Sequence, residues 1–253
     1  MEQGGGGQQV LRGGMVVCTD RVHRFGTDAF ALAGFARCGP GDTVCDLGSG
    51  CGIIPLLLLG GPTPPAEVYG LELQPAAVEL MRCAVETNGL AGRFVPVQGD
   101  LRCPPEGFPR ARADLVVCNP PYFRPGEGFD SPVEGRRLAR HEYGFTLEDL
   151  CASAAKMLRY GGRLALCHRP WRLCDLMCAM RAAGLEPKRL RMVQQRAASA
   201  PWLVLCEGRL GGAPGLEVLP PLVIEHPRGG FSDEMLALYG KQHRLTPPER
   251  RGR

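Results

Sequence analysis

Thr43-Val44-Cys45-Asp46-Leu47-Gly48-Ser49-Gly50-Cys51-Gly52 sets the frame for the whole chain. Thr43 to Leu47 is a short β-rich run that passes directly into glycines at 48, 50 and 52. Glycines after a strand let the backbone turn tightly and approach a bound group closely. The apolar run Ile53 to Leu59 follows and reads as a helix. Strand, glycine turn and helix form the opening unit of an α/β sheet.

The pattern repeats downstream. Glu67 to Leu73 is a strand, and Pro75 to Asn88 is a helix with proline in its first turn and Gly89 at its exit. Arg93 to Gln98 and Ala113 to Cys118 are further strands. Leu147 to Leu158 is amphipathic, with Leu147, Leu150, Ala154 and Leu158 on one face. Arg163 to His168 is a fifth strand and Trp171 to Ala183 a helix. Arg189 to Gln194 and Pro201 to Glu207 make a late antiparallel pair. Alternating strands and helices imply a mainly parallel sheet covered on both faces. Ligands in such sheets bind at the carboxyl ends of strands.

Three acids sit at such ends. Asp46 stands two residues before Gly48, Glu72 lies near the end of the second strand, and Asp100 follows the third. A pyrophosphate is a poor neighbour for Asp46, and a cationic amino-acid group is a good one. That tilts the ligand from a dinucleotide towards S-adenosylmethionine (SAM), whose methionine end carries an ammonium. Glu72 can then accept from the ribose hydroxyls and Asp100 from the adenine amino group. Gly48, Ser49 and Gly50 form the turn against which the cofactor lies.

The fourth strand ends in Asn119-Pro120-Pro121-Tyr122. Two prolines fix the backbone and remove two amide donors, so the turn presents carbonyl acceptors. Asn119 adds a side-chain carbonyl. Two acceptors together can bind both hydrogens of a planar amino group. An aryl amine is a poor nucleophile because its lone pair is delocalised. Accepting both hydrogens favours a pyramidal nitrogen that can attack a methyl sulfonium, and Tyr122 can stack on the base. Positioning and electrostatics supply the catalysis, with no strong general base.

These motifs resemble the class I SAM-dependent methyltransferases of the Asn-Pro-Pro-Tyr group. Within it the chain is most similar to the bacterial valine-tRNA adenine-N6 methyltransferases. The resemblance runs from about Arg24 to Gly240 and includes Phe25-Gly26-Thr27-Asp28-Ala29, Ala139-Arg140-His141-Glu142, Leu164 to Arg169, Arg172 and Leu219-Pro220-Pro221-Leu222. It implies a Rossmann-like fold with a seven-stranded sheet ending in an antiparallel hairpin. It also implies a tRNA substrate, methylated just 3′ of the anticodon. Gly26, Thr27 and Asp28 would lie near the methionine end of the cofactor. Alternatively, Thr27 or Asp28 simply caps the helix Ala29 to Arg37. Arg124, Arg136, Arg137 and Arg140, with His141, follow the catalytic turn and can hold RNA phosphates, although a solvated loop is the usual explanation of such charge. Three rival activities stay open: methylation of a glutamine amide in a release factor, guanine-N2 methylation of ribosomal RNA, and a non-catalytic SAM- or RNA-binding module. The first usually needs an N-terminal helical domain, and only about 40 residues precede the first strand.

Composition fits this reading. The 253 residues are 44% hydrophobic, enough for one sizeable core. Residues 1–9 are expected to be a disordered glycine-rich head, 10–245 the methyltransferase domain and 246–253 a loose tail. Apolar runs fall short of the ~18 residues of a transmembrane helix, and no secretory signal is apparent, so a cytoplasmic location is expected. The net charge is +4, with 27 arginines against 3 lysines. Twelve cysteines invite disulfides or a metal. Neither is expected: there is no Cys-x-x-Cys pair, and Cys45, Cys118, Cys167 and Cys206 fall inside strands, where a thiol acts as a small hydrophobe.

Overall fold

The computed structural model describes residues 7–120 and 145–240. Its strands are β1 (Gly7–Val10), β2 (Val16–Thr19), β3 (Thr43–Leu47), β4 (Glu67–Glu72), β5 (Phe94–Gln98), β6 (Ala113–Cys118), β7 (Leu158–His168), β8 (Leu185–Gln194), β9 (Pro201–Leu210) and β10 (Glu217–Val223). The helices are α1 (Thr27–Phe35), α2 (Ile53–Leu59), α3 (Pro75–Thr87), α4 (Leu147–Met157), α5 (Leu173–Ala182) and α6 (Asp233–Tyr239).

Among the described residues, eight strands form one sheet in the order β10-β8-β9-β7-β6-β3-β4-β5. All pair in parallel except β9, which runs against both β7 and β8. The Rossmann-like architecture and the late antiparallel pair are as expected. The strand count is not: β10 adds an eighth strand beside β8. Its Pro220 and Pro221 argue against a central strand. The structure places them at the sheet edge, where the register shifts between Leu219 and Leu222.

Strand residues alternate between the two faces, as a period of two requires. Val44, Leu115 and Val117 pack with α1, α2 and α3, whereas Cys45, Val116 and Cys118 pack with α4 and α5. All seven residues of α2 are buried, so this helix is apolar all round.

The amino-terminal segment departs from expectation. Gly7, Gln8 and Gln9, assigned to a disordered head, pair with Thr19, Cys18 and Val17. The hairpin is tied to α3 by Asn88, whose side-chain amide acts as a spare peptide group. It accepts from the Val16 N–H and donates to the Val16 carbonyl, both at 2.7 Å. The expectation of unpaired cysteines also needs correction. Packing of β2 on α3 brings Cys18 and Cys83 together as a disulfide, with Cα atoms 6.3 Å apart. The two are 65 residues apart, so spacing carries no trace of the pair.

Gly52 shows how tightly the glycine turn is built into the core. Its φ is +79°, and a Cβ there would stand 2.8 Å from Phe94 Cζ and 3.0 Å from Met81 Cγ. Gly52→Ala should therefore destabilise the fold by about 2–4 kcal/mol, combining backbone strain with overpacking. Gly92 shares the positive φ, at +76°, but has open space around it. Gly92→Ala should cost only about 1–2 kcal/mol. Urea unfolding of both variants checks this, and equal losses would remove the packing argument.

Candidate active site

The sheet reverses its winding beside β3: the chain moves outward from it through β4 and β5, then returns to its other side with β6 and β7. A crevice at such a reversal is where an open α/β sheet binds ligands.

Asp46 lies in β3, opposite Gly70 of β4 and Val117 of β6. It is 1% exposed. Ser49 Oγ donates to Oδ2 at 2.7 Å, but Oδ1 has no hydrogen-bond partner among the described residues. Burial pushes the Asp46 pKa up to about 7; the Ser49 bond opposes this and the charge of Glu72 adds to it. An unsatisfied buried acceptor is costly, about 1–3 kcal/mol or more. A cationic group at Oδ1 would relieve that cost.

Glu72 ends β4 and is equally buried. Its Oε2 accepts the Gly50 N–H and its Oε1 the Gln74 N–H, each at 2.9 Å. The N–H groups of Gly48 and Ser49 both donate to the Leu71 carbonyl, at 2.9 and 3.1 Å. The turn is thus bonded to the end of β4, a role for Glu72 that the sequence did not suggest. Gly50 has φ +56° and open space where a Cβ would point, so a ligand can reach its backbone. Asp100 sits two residues beyond β5 and is engaged by Arg102, with Nε–Oδ1 at 3.0 Å and Nη2–Oδ2 at 2.5 Å. The Arg102 bond is the chief reason its pKa is held low.

Asn119 follows β6 directly. Its Nδ2 donates to Asp28 Oδ2 at 3.1 Å, and its Oδ1 accepts the Cys167 thiol at 3.0 Å. Partners on both sides set which way the amide points. Asp28, placed by resemblance near the cofactor, therefore also bonds the candidate catalytic residue. The N-cap of α1 is Gly26, without a side-chain cap, and Asp28 Oδ1 accepts the Ala29 N–H at 3.0 Å. Thr27 Oγ1 pairs with the Tyr239 hydroxyl at 3.2 Å. Cys167 is the residue that sequence reasoning missed. It reads as core, and only the β6–β7 register, Cys118 opposite Leu166, brings it beside Asn119. Next to it, His168 is buried, and its pKa is lowered to about 4, first by burial and then by the charge of Arg172.

Pro120 is described. Pro121, Tyr122, Arg124, Arg136, Arg137, Arg140 and His141 lie outside the described residues. Among the described residues, no cluster of three or more His, Cys, Asp or Glu side chains could hold a metal, and no helix is long and apolar enough to cross a membrane.

The family model of the methyltransferase small domain matches residues 25–172, more than half of the chain. A Porphyromonas gingivalis protein named tRNA1(Val) (adenine(37)-N6)-methyltransferase is 33% identical over 192 residues, 74% of each chain. A Yersinia pseudotuberculosis protein of the same name is 30% identical over 215 residues, 82% of this chain and 77% of its own. Among solved structures, a protein of Agrobacterium tumefaciens described as a predicted O-methyltransferase superposes with a TM-score of 0.66 at 19% identity, covering 84% of this chain and 95% of the other. Geranyl diphosphate C-methyltransferase from Streptomyces coelicolor, solved with Mg2+, geranyl diphosphate and S-adenosyl-L-homocysteine, gives 0.52 at 14% identity over 71% of this chain and 80% of the other.

Sheet order, glycine turn and buried acids define a class I SAM-dependent methyltransferase. Within that class, the chain belongs to the methyltransferase small domain family. Its cofactor is SAM, and the unpaired, buried Asp46 oxygen fits the cationic end of that molecule.

A pH dependence follows. An ammonium favours ionised Asp46, so the attraction is complete above about pH 7 and is lost as pH falls through that value. SAM affinity measured by calorimetry should weaken between pH 7 and 5. Asp46→Asn should bind SAM weakly at both ends with a flat profile. A flat wild-type profile would separate Asp46 from the cofactor's charge.

Proposed function

We propose that the chain transfers the SAM methyl group to the N6 amino group of an adenine in tRNA, beside the anticodon of valine tRNA. The observation that carries this reading is Asn119: an amide held from two sides at the carboxyl end of β6, with Pro120 next in the chain. The names of the two bacterial relatives support the choice of adenine and of tRNA.

Asp28 takes one Nδ2 hydrogen of Asn119 and keeps Oδ1 turned towards the substrate side. That oxygen is the acceptor for one hydrogen of the adenine amino group. The Pro120 carbonyl accepts the second hydrogen. Both bonds pull the nitrogen out of conjugation and aim its lone pair. The cofactor would supply an electrophilic methyl group on a sulfonium, whose S–CH3 bond breaks as the C–N bond forms and leaves a neutral thioether. As the new C–N bond forms, Asn119 and Pro120 steady the positive charge growing on nitrogen until one of its protons leaves to water. Asp46, Gly48, Ser49, Gly50 and Glu72 hold the cofactor, with Gly26 and Thr27 near its methionine end and Asp100 towards its adenine. Tyr122 stacks on the target base, and Arg124, Arg136, Arg137 and Arg140 hold phosphates. The setting is cytoplasmic.

The test is methyl transfer from labelled SAM to tRNA, ribosomal RNA and a release factor, with analysis of the modified product. N6-methyladenosine in tRNA is expected. Label only as N2-methylguanosine or in the protein would keep the fold and cofactor but overturn the substrate. Asn119→Ala should lower kcat by at least about 100-fold, the scale of losing one preorganised contact to developing charge, while SAM affinity survives. Asp28→Ala, which frees the amide to rotate, should lower kcat by about tenfold with little change in the KM for RNA. Loss of SAM binding in either variant would move that residue from the chemistry to the cofactor.

A further inference from the structure

β7 ends at His168, and Pro170–Arg172 form a 3-10 turn that leads into α5. In the middle of this turn Trp171 is 70% exposed. Exposure by itself selects nothing. Tyr160 is 80% exposed, but it lies near the start of β7, at the opposite edge of the sheet, where its hydroxyl donates to the Gly211 carbonyl at 3.3 Å. Trp171 is at the carboxyl edge, one strand from Asn119. It is four residues beyond Cys167, whose thiol bonds Asn119, so its Cα is within about 14 Å of the Cys167 Cα even if the chain is fully extended.

The flanking charge favours a polyanion. Arg169 and Arg172 bracket the tryptophan in sequence. Arg169 donates to the Trp202 carbonyl at 3.1 Å and lies 5.7 Å from the Trp202 ring centre. Arg172 pairs with Asp175 at 2.5 Å. A flat exposed indole between arginines suits a nucleobase better than an apolar peptide, because every base offers a π-face and a backbone of phosphates.

The reaction also calls for such a surface. An adenine must leave its stack to reach Asn119, and its neighbour in the strand thereby loses a stacking partner. We propose that Trp171 replaces that partner: it is a stacking platform for a base flanking the target adenine, in the tRNA substrate proposed above. The platform sets affinity for the RNA and leaves the methyl-transfer step to Asn119.

The experiment is methyl transfer to an anticodon stem-loop at varied RNA concentration. Trp171→Ala should raise the KM for RNA by about tenfold, the scale of losing one base-aromatic stack. Its kcat at saturating RNA and its SAM affinity should stay within about twofold of wild type, and Trp171→Phe should recover most of the loss. The chain has two tryptophans. In Trp202→Phe protein the remaining emission belongs to Trp171 and should be quenched as RNA binds. An unchanged KM for Trp171→Ala beside active wild type would overturn the platform and leave the tRNA reading standing, as would a Phe variant as weak as the Ala variant. Wild type that methylates protein and no RNA would overturn both.

Discussion

The bonding of the glycine turn to the end of β4 is the constraint on which the rest of the molecule depends. Gly48 and Ser49 give their N–H groups to Leu71, and Gly50 gives its own to Glu72. The turn therefore cannot move without breaking the adjoining strand's last contacts. The same bonds bury two carboxylates, Asp46 and Glu72, at one edge of an apolar sheet. Buried charge of one sign is tolerated only where something compensates it. Glu72 receives two backbone N–H groups, whereas Asp46 keeps one oxygen unpaired. A cationic group at that oxygen would balance the buried charge.

A second linkage joins separate elements at the next strand. Asp28 from α1 and Cys167 from β7 hold the Asn119 amide at the end of β6. An amide bonded through both its nitrogen and its oxygen is held in a defined direction. Preorganisation of this kind matters most where catalysis rests on geometry and not on a strong base. The glycine turn and the amide occupy the ends of neighbouring strands, β3 and β6, so strand spacing alone sets them side by side.

The carboxyl edge was largely legible beforehand because its chemistry is local. A glycine turn after a strand, acids at strand ends and a proline-fixed asparagine each announce themselves within a few residues. The elements that were not legible depend on distant partners. β10 carries two prolines that a strand pattern rejects, and it exists because an edge next to β8 tolerates a register shift. Gly7 to Gln9 have almost nothing to bury, yet they pair because Asn88 and Cys83 of α3 and its exit anchor their neighbours in β2.

The sequence by itself determined the alternation of strands and helices, the turn at Gly48 to Gly52, the acids beside it and the identity of the residue that ends β6. All of these follow from backbone preferences and periodicity over short stretches. Only the tertiary structure decided what those residues touch. It paired Asp28 and Cys167 with Asn119, set Glu72 on the glycine turn, turned Asp100 to Arg102 and joined Cys18 to Cys83. It also brought Trp171 to the edge that holds Asn119. Side-chain partners of this kind are fixed by strand register and by the packing of helices across the sheet. Those quantities depend on residues far apart in the chain, and no local pattern encodes them.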